Sequence, residues 1–409
     1  MGYLELDPNI SDEAKAVLDM VRKFTKEVMR PIGIQLDEMA DPADVIAKGS
    51  PYWNFLKTYR ELGLHKRGIR KELGGLAGEM DPKASPLIAE EMGFGDSGLS
   101  ISMGVAGMPM GFAAMSPDPE LQQLVRDYCE DTEGEIIGCW AITEPDHGSD
   151  WIMSTDPTFD NPKCAPNLKA VLKGDEYILS GQKSAWVSNG TLATHALLHV
   201  CLDSSRGMQG NGLALVPLNL PGVSRGKPLN KIGQRSLNQG EIFFSDVQLP
   251  KKYMVVSDSG MMTNIVRMIL TGANGSMGQT FVGLAQAAYD EALKYSKERI
   301  QGGMPIFEHK NIKLQLFNMF IKVEAARAYS RRLAGYSQSG GSSITYAIAS
   351  KVLSTNTAFE VANEAITIFG GYGLTKEYLI EKLFRDARAA MIEDGENNLL
   401  SIRAAADLM

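Results

Sequence analysis

The chain has 409 residues, more than one hydrophobic core usually serves, so two or three packed units are expected. Apolar residues make up 44% and charged residues 22%, and no run approaches the roughly 18 apolar residues of a spanning helix. A formal charge of -8 opposes nonspecific attraction to nucleic acid or to an anionic membrane surface, so neither is expected as a partner.

The opening MGYLELDPNISDEAKA has no basic n-region and no apolar h-region, and Leu6 stands where a myristoylation signal needs Ser or Thr. A cytoplasmic location is expected by default. From Ser11 the apolar residues Ala14, Val17, Leu18, Val21, Phe24 and Val28 recur at three- and four-residue spacing, predicting a helix that ends before Pro31. Helix-compatible stretches continue at 53–64, 85–94 and 120–129, separated by Gly74-Gly75 and Pro117-Asp118-Pro119. Residues 1–132 therefore read as an N-terminal α-helical domain.

From Gly134 the texture changes to short apolar runs between turn residues, at 136–142, 168–172, 177–179, 196–202, 213–218 and 241–244. Residues 133–254 read as a middle β domain. The Lys173-Gly174-Asp175-Glu176 segment has hairpin chemistry, because Gly tolerates the positive φ of a tight turn, so antiparallel pairing is expected there. Cys129, Cys139, Cys164 and Cys201 form no CxxC pair and predict neither disulfides nor a zinc site. His195 and His199 have no acidic ligands clustered with them, so they read as core or surface residues and no metal is expected.

Beyond Val255 long helical stretches return at 281–299, 313–333, 343–369 and 378–394, with Gly-rich breaks between them. Residues 255–409 read as a C-terminal α-helical domain, giving an α+β chain in the order α, β, α.

Four segments carry more than periodicity. Residues 140–150 read WAITEPDHGSD, where a strand leading into Thr143, Pro145 and Gly148 offers hydroxyl and main-chain donors suited to a flavin edge and a pyrophosphate. Taken alone, it reads equally as a plain Gly/Pro loop. Residues 181–190 read GQKSAWVSNG, residues 244–255 read FSDVQLPKKYMV, and Arg267 precedes TGANGSMGQTFVGLAQAAYDEALKYSKER. Residues 368–398 read IFGGYGLTKEYLIEKLFRDARAAMIEDGENN. In order and spacing these resemble the acyl-CoA dehydrogenase family over nearly the whole chain.

The resemblance implies an N-terminal helical domain, a middle antiparallel β domain and a C-terminal four-helix bundle. It also implies FAD as cofactor, a CoA thioester as substrate, an electron-transfer flavoprotein as acceptor and a homotetramer built as a dimer of dimers. Asp394 takes the place of the base that removes the α-proton while a hydride leaves for flavin N5. Negative charge developing on the thioester oxygen would fall to a flavin ribityl hydroxyl and the backbone N–H of the base residue. Cofactor contacts are implied for Trp140, Ile142, Thr143, Ser149, Trp186, Ser188, Arg299, Thr367, Gly370, Gly371, Glu396 and Asn398. Substrate contacts are implied for Ser149, Asn264 and Arg267.

The chain departs from the family's usual form in several places. Where a Tyr-Glu-Gly-Thr sequence is common, this chain has Glu393-Asp394-Gly395-Glu396, so the base is shorter by one methylene, about 1.5 Å. Glu393 is the alternative base. Val266, just before Arg267, closes the position that carries the base in some members. One extra residue separates Lys183 from Trp186, which predicts a bulge or shifted register. Thr367 and Gly302 replace the usual Gln and Phe, at positions that typically serve the partner subunit's FAD, while Arg299 remains to hold a pyrophosphate. Two adjacent carboxylates predict a pH–rate profile with a high acid limb.

The stretch 97–115, SGLSISMGVAGMPMGFAAM, is small, apolar and Met-rich, and occupies the acyl-pocket region of relatives. It reads equally as a helix-packing surface. It has no Arg or Lys to meet a distal carboxylate, which points to a branched, cyclic or aromatic-substituted acyl group. Two rival readings stand: an oxidase or enoyl-CoA reductase on the same fold, and a flavin-bound regulatory protein that no longer dehydrogenates.

Overall fold

Ser11 opens the chain's first helix in the computed structural model, which describes residues 10–153 and 156–408; the stretch containing Leu6 lies outside them. The Ser11 hydroxyl accepts the Ala14 N–H at 3.2 Å, capping α1 (Asp12–Phe24), with Asp12 and Glu13 favourably placed in the first turn. The helix does not end before Pro31. Thr25–Met29 form one π turn, closed by the Arg30 N–H on Thr25 O, and α2 (Arg30–Glu38) starts afresh. Pro31 thus falls in the first turn of a new helix, where its missing N–H costs nothing.

Helices α3 (Pro51–Glu61), α4 (Ala84–Gly95), α5 (Ser97–Ala106), α6 (Met108–Ala113) and α7 (Pro119–Glu130) follow. Leu18, Val21, Phe24, Leu36, Phe55, Leu56, Ile88 and Leu99 fill the core between them.

The sheet has β1 (Gly138–Ala141), β2 (Lys169–Lys173), β3 (Glu176–Ser188), β4 (His195–Cys201), β5 (Asn211–Pro217), β6 (Val223–Arg225), β7 (Gln239–Pro250) and β8 (Met254–Val256). Its order is β6-β7-β3-β2-β4-β5-β8, with β1 pairing β4. The β2–β3 hairpin is antiparallel, with Lys173 opposite Glu176 and Gly174 at φ 63°. Pairing is mostly antiparallel, but β1 and β2 both run parallel to β4. Opposite β7, the five residues of β3 from Lys183 to Val187 face three, Gly240 to Ile242, so the bulge expected before Trp186 is present.

The last third is α8 (Ser259–Glu298), the short β9–β10 hairpin (Ile300–Gln301 and Met304–Pro305), α9 (Lys310–Gln338), α10 (Ile344–Phe369), α11 (Leu379–Ala390) and α12 (Asn397–Ala406). Helix α8 begins 22 residues before the expected 281. Two of its glycines mark close approaches instead of breaks: a Cβ on Gly278 would lie 2.3 Å from Ser350 Oγ, and one on Gly283 1.9 Å from Glu90 O. No helix among the described residues is long and apolar enough to cross a membrane.

Buried charge fastens the three parts. Lys382 of α11 lies 2.6 Å from both Asp96, which caps α5, and Asp386, and Asp386 also accepts the Gln234 N–H from the loop before β7. Each of these side chains is nearly inaccessible, so removing Lys382 would leave two buried carboxylates without their shared cation. The RDA motif's Asp386 is thereby a structural joint for the turn that follows α11.

Candidate active site

Helix α11 stops at Ala390, short of the 394 end expected from periodicity, and Glu393, Asp394 and Gly395 form the turn into α12. Asp394 has φ 50°, a conformation rare for a residue with a Cβ, and strain of this kind collects at functional sites. A Cβ on Gly395 would lie 2.8 Å from Ile152 Cδ1 and 2.9 Å from Leu400, so this turn is pressed against the segment that begins at Ser149. Two distant motifs therefore meet here.

The Asp394 carboxyl is raised by burial, opposed by the charge of Lys351. Its backbone N–H has no acceptor among the described residues. Glu393 is pushed up to about 7 by burial, against the pull of Lys231 and Gln234, with Asp394 adding to the rise. Its Oε2 is sealed from solvent and unbonded, although Glu393 and Asp394 are alike half-buried as residues. The Glu396 carboxylate caps α12, accepting the N–H groups of Asn398 and Leu399 at 3.0 Å, and Asn398 Nδ2 also donates to it. An acid there lies at a helix N-terminus, where the dipole favours it.

The TEP loop is braced by the GQK strand. Lys183 Nζ lies 2.7 Å from Glu144 Oε1 and 3.1 Å from Ile142 O, with both side chains fully buried. Ser184 N–H donates to Thr143 O at 2.8 Å, and Glu144 accepts the N–H groups of Asn167 and Leu168. Trp140 donates from Nε1 to His199 Nε2 at 3.1 Å; burial, and then the Lys183 charge, push that imidazole down to about 3, so it is neutral and able to accept. His199 is thus an anchor for Trp140. Among the described residues no group of three His, Cys, Asp or Glu side chains is gathered for a metal.

A flavin fits this frame on three observations. Trp186 is 59% exposed although it lies in a strand, an aromatic plane left uncovered. Ser188 Oγ accepts from Gln239 Nε2 at 3.1 Å, leaving its own O–H to donate. Thr143 and Ser149 are only partly buried, beside Gly148, where a Cβ would meet nothing.

Asn264 and Arg267 line a cavity of about 520 Å³ with Met268, Thr271, the 342–345 segment and Asp407. Arg267 Nη2 is 3.7 Å from Asp407, beyond the end of α12. Arg299, Thr367, Gly370 and Gly371 make a separate exposed surface, with Arg299 5.6 Å above the Tyr372 ring and Gly370 at φ 63°. Arg267 and Arg299 stand toward opposite ends of α8, about 48 Å apart at 1.5 Å per residue.

Within 97–115 the faces of the helices differ in burial. Leu99, Met103, Ala106 and Met110 are core, whereas Ile101, Gly104, Val105, Met108 and Gly111 recur on a less buried side. A Cβ on Gly104 or Gly111 would meet nothing within 4 Å.

Two sets of residues escaped sequence reading. Lys231 and Gln234, in KIGQRS after β6, flank Glu393, and the signal was a polar, Gly-containing stretch between strands. Lys351 lies inside a helical stretch and gave no signal beyond its charge.

Family models for the acyl-CoA dehydrogenase N-terminal, middle and C-terminal domains match residues 11–118, 139–247 and 263–409. The chain is 27% identical over 398 residues to a short-chain specific acyl-CoA dehydrogenase of Clostridium acetobutylicum, covering 96% of this chain and 97% of that protein. It is also 27% identical to a cyclohex-1-ene-1-carbonyl-CoA dehydrogenase of Geobacter metallireducens, covering 96% of each. A solved structure described as the electron transferring flavoprotein of Acidaminococcus fermentans superposes with a TM-score of 0.86 at 27% identity, covering 99% of this chain and 100% of that one.

Proposed function

Because the chain belongs to the acyl-CoA dehydrogenase family, whose members are FAD-dependent oxidoreductases, we propose that it dehydrogenates the α,β bond of a CoA thioester with Asp394 as base. The observation that carries this reading is the Asp394 turn itself. It is strained, partly open, raised by burial and pressed against the Ser149 segment.

Bound FAD would supply the hydride acceptor, held by Trp140, Ile142, Thr143, Ser149, Trp186 and Ser188. Asp394 takes the α-proton; burial makes its carboxylate a stronger base than an exposed one. Its unbonded N–H is the chain's own donor for charge developing on the thioester oxygen. Glu393 is the lesser candidate, because its Oε2 is sealed away and its carboxyl is half neutral near pH 7. Arg267 and Asn264 hold the CoA side in the 520 Å³ cavity. The open face of Ile101, Val105 and Met108 receives an acyl group without a distal charge, and the relative named for a cyclohexene carbonyl supports a cyclic or branched one.

Arg299, Thr367, Gly370 and Gly371 serve the flavin of another subunit, since about 48 Å of α8 separates Arg299 from Arg267. Leu314, Phe317, Phe320 and Ile321 leave an exposed apolar stripe on α9, as a homotetramer requires. The electron acceptor is an electron-transfer flavoprotein, a reading supported by the Acidaminococcus likeness.

Anaerobic bleaching of the flavin by a panel of CoA thioesters, including branched, cyclic, aromatic and glutaryl groups, tests this function. Bleaching by a cyclic or branched thioester is expected. An unbleached flavin with every thioester would overturn the assignment, and hydrogen peroxide formed stoichiometrically in air would replace dehydrogenase by oxidase.

A further inference from the structure

Behind the Asp394 turn lies a lysine for which the reaction, as described so far, has no use. Lys351, on α10, is fully buried. Its Nζ donates to Gly395 O and to Asn397 Oδ1, each at 2.7 Å. Asn397 Nδ2 in turn donates to Thr355 Oγ1 at 3.0 Å and Asn356 Oδ1 at 2.9 Å, and Thr355 Oγ1 donates back to Lys351 O at 2.9 Å. The ring of bonds closes on the residue directly after Asp394 and on the first residue of α12.

A buried ammonium is costly, and a helix-end joint needs no charge: an amide or hydroxyl would satisfy Gly395 O as well. What the charge adds is its field. The groups facing Lys351 from the turn are Asp394, Glu393 and Glu396; Glu393 is also faced by Lys231 and Gln234 from the loop before β7. Of these carboxylates, Glu396 is committed to capping α12 and Glu393 has its own cation in Lys231. Asp394 is countered by Lys351 alone.

We propose that Lys351 is the positioning residue of the catalytic turn: its ammonium, clamped to Gly395 O and Asn397 Oδ1, fixes the turn that carries Asp394 and keeps a positive charge behind it. The inference rests on the reading of Asp394 as base. It also accounts for a strained φ at 394 surviving in a turn without any covalent tie, since the clamp holds the next peptide in place.

The test uses the flavin-loaded enzyme, with K351M, K351R and D394N variants and the best thioester of the panel. The rate of flavin reduction is measured against pH, and urea unfolding is followed at several pH values for each variant and for K351M/D394N. K351M should move the acid limb upward by about one pH unit, a tenfold loss on that limb, while K351R keeps the limb near its original place. The pH-dependent part of the K351M stability change should vanish when Asp394 is already Asn. Should K351M fail to fold, K351Q, which keeps a donor without the charge, gives the same comparison. If D394N abolishes reduction but removing the charge at 351 leaves the limb unmoved, Lys351 is merely structural and this inference fails alone. If D394N reduces flavin at the wild-type rate, the base assignment itself fails and takes the inference with it.

Discussion

Lys183 and Glu144, one from the GQK strand and one from the TEP loop, are spent on one another: their side chains pair at 2.7 Å with no exposure on either. The pair pins the TEP loop to the strand that carries Trp186 and Ser188, with Lys183 also reaching Ile142 O. Two of the most recognisable residues of these motifs therefore act on the frame of the site.

Breaking this pair leaves one buried charge without compensation, so K183M or E144Q should destabilise by about 3–5 kcal/mol in urea unfolding. Flavin retained through purification should fall as the loop detaches. A variant that keeps full flavin and wild-type stability would show that the loop is held by its other bonds alone.

For the base, D394N should slow flavin reduction by a thioester by about 10²- to 10⁴-fold in stopped flow, with the flavin still bound. Because burial raises the Asp394 carboxyl, the wild-type rate should fall as pH drops through a value above the ordinary 3.8. An acid limb at or below 3.8 would contradict the buried, Lys351-countered environment.

Glu393 gives a stability prediction with a definite sign. Its carboxyl, pushed from the ordinary 4.5 up to about 7, holds a proton more tightly in the folded state than in the unfolded one. That contribution is fully present below pH 4.5 and is lost as pH rises through 7. E393Q, which cannot ionise, should therefore gain on the wild type by about 1–3 kcal/mol between pH 5 and pH 8 in urea unfolding. A gain at pH 5 instead would mean that Glu393 is stabilised as an ion by Lys231.

Much of this site was legible in the sequence because its signals are local. The Gly-Pro loop at 143–148, the extra residue before Trp186 and the acidic 393–396 cluster can each be read within ten residues, and the bulge follows from a single insertion. What stayed hidden depends on partners far along the chain. Lys351 looks like any helix lysine until α10 is set against the 395 turn, 44 residues on. Periodicity alone sets the start of α8 too late, because glycines that allow close contact with α4 and α10 resemble breaks when their neighbours are unseen. Pro31 misled for the opposite reason: a π turn, invisible to a 3.6-residue period, lets the chain pass it.

The assembly offers the last test, because it separates two kinds of evidence. Leu314, Phe317, Phe320 and Ile321 are between 42% and 61% exposed on one stretch of α9, an apolar stripe that suits the subunit contact proposed above. If Arg299 and the Gly370-Gly371 loop hold another subunit's flavin, separating the subunits should cost flavin as well as contacts. F317E with F320E should lower the sedimentation mass toward a single chain, through desolvation of two carboxylates at the contact. Flavin content should fall with it, and R299A alone should weaken flavin retention without changing the mass. Separated subunits that keep their flavin in full would detach the Arg299 surface from cofactor binding while leaving the Trp186 and Ser188 side of the site intact.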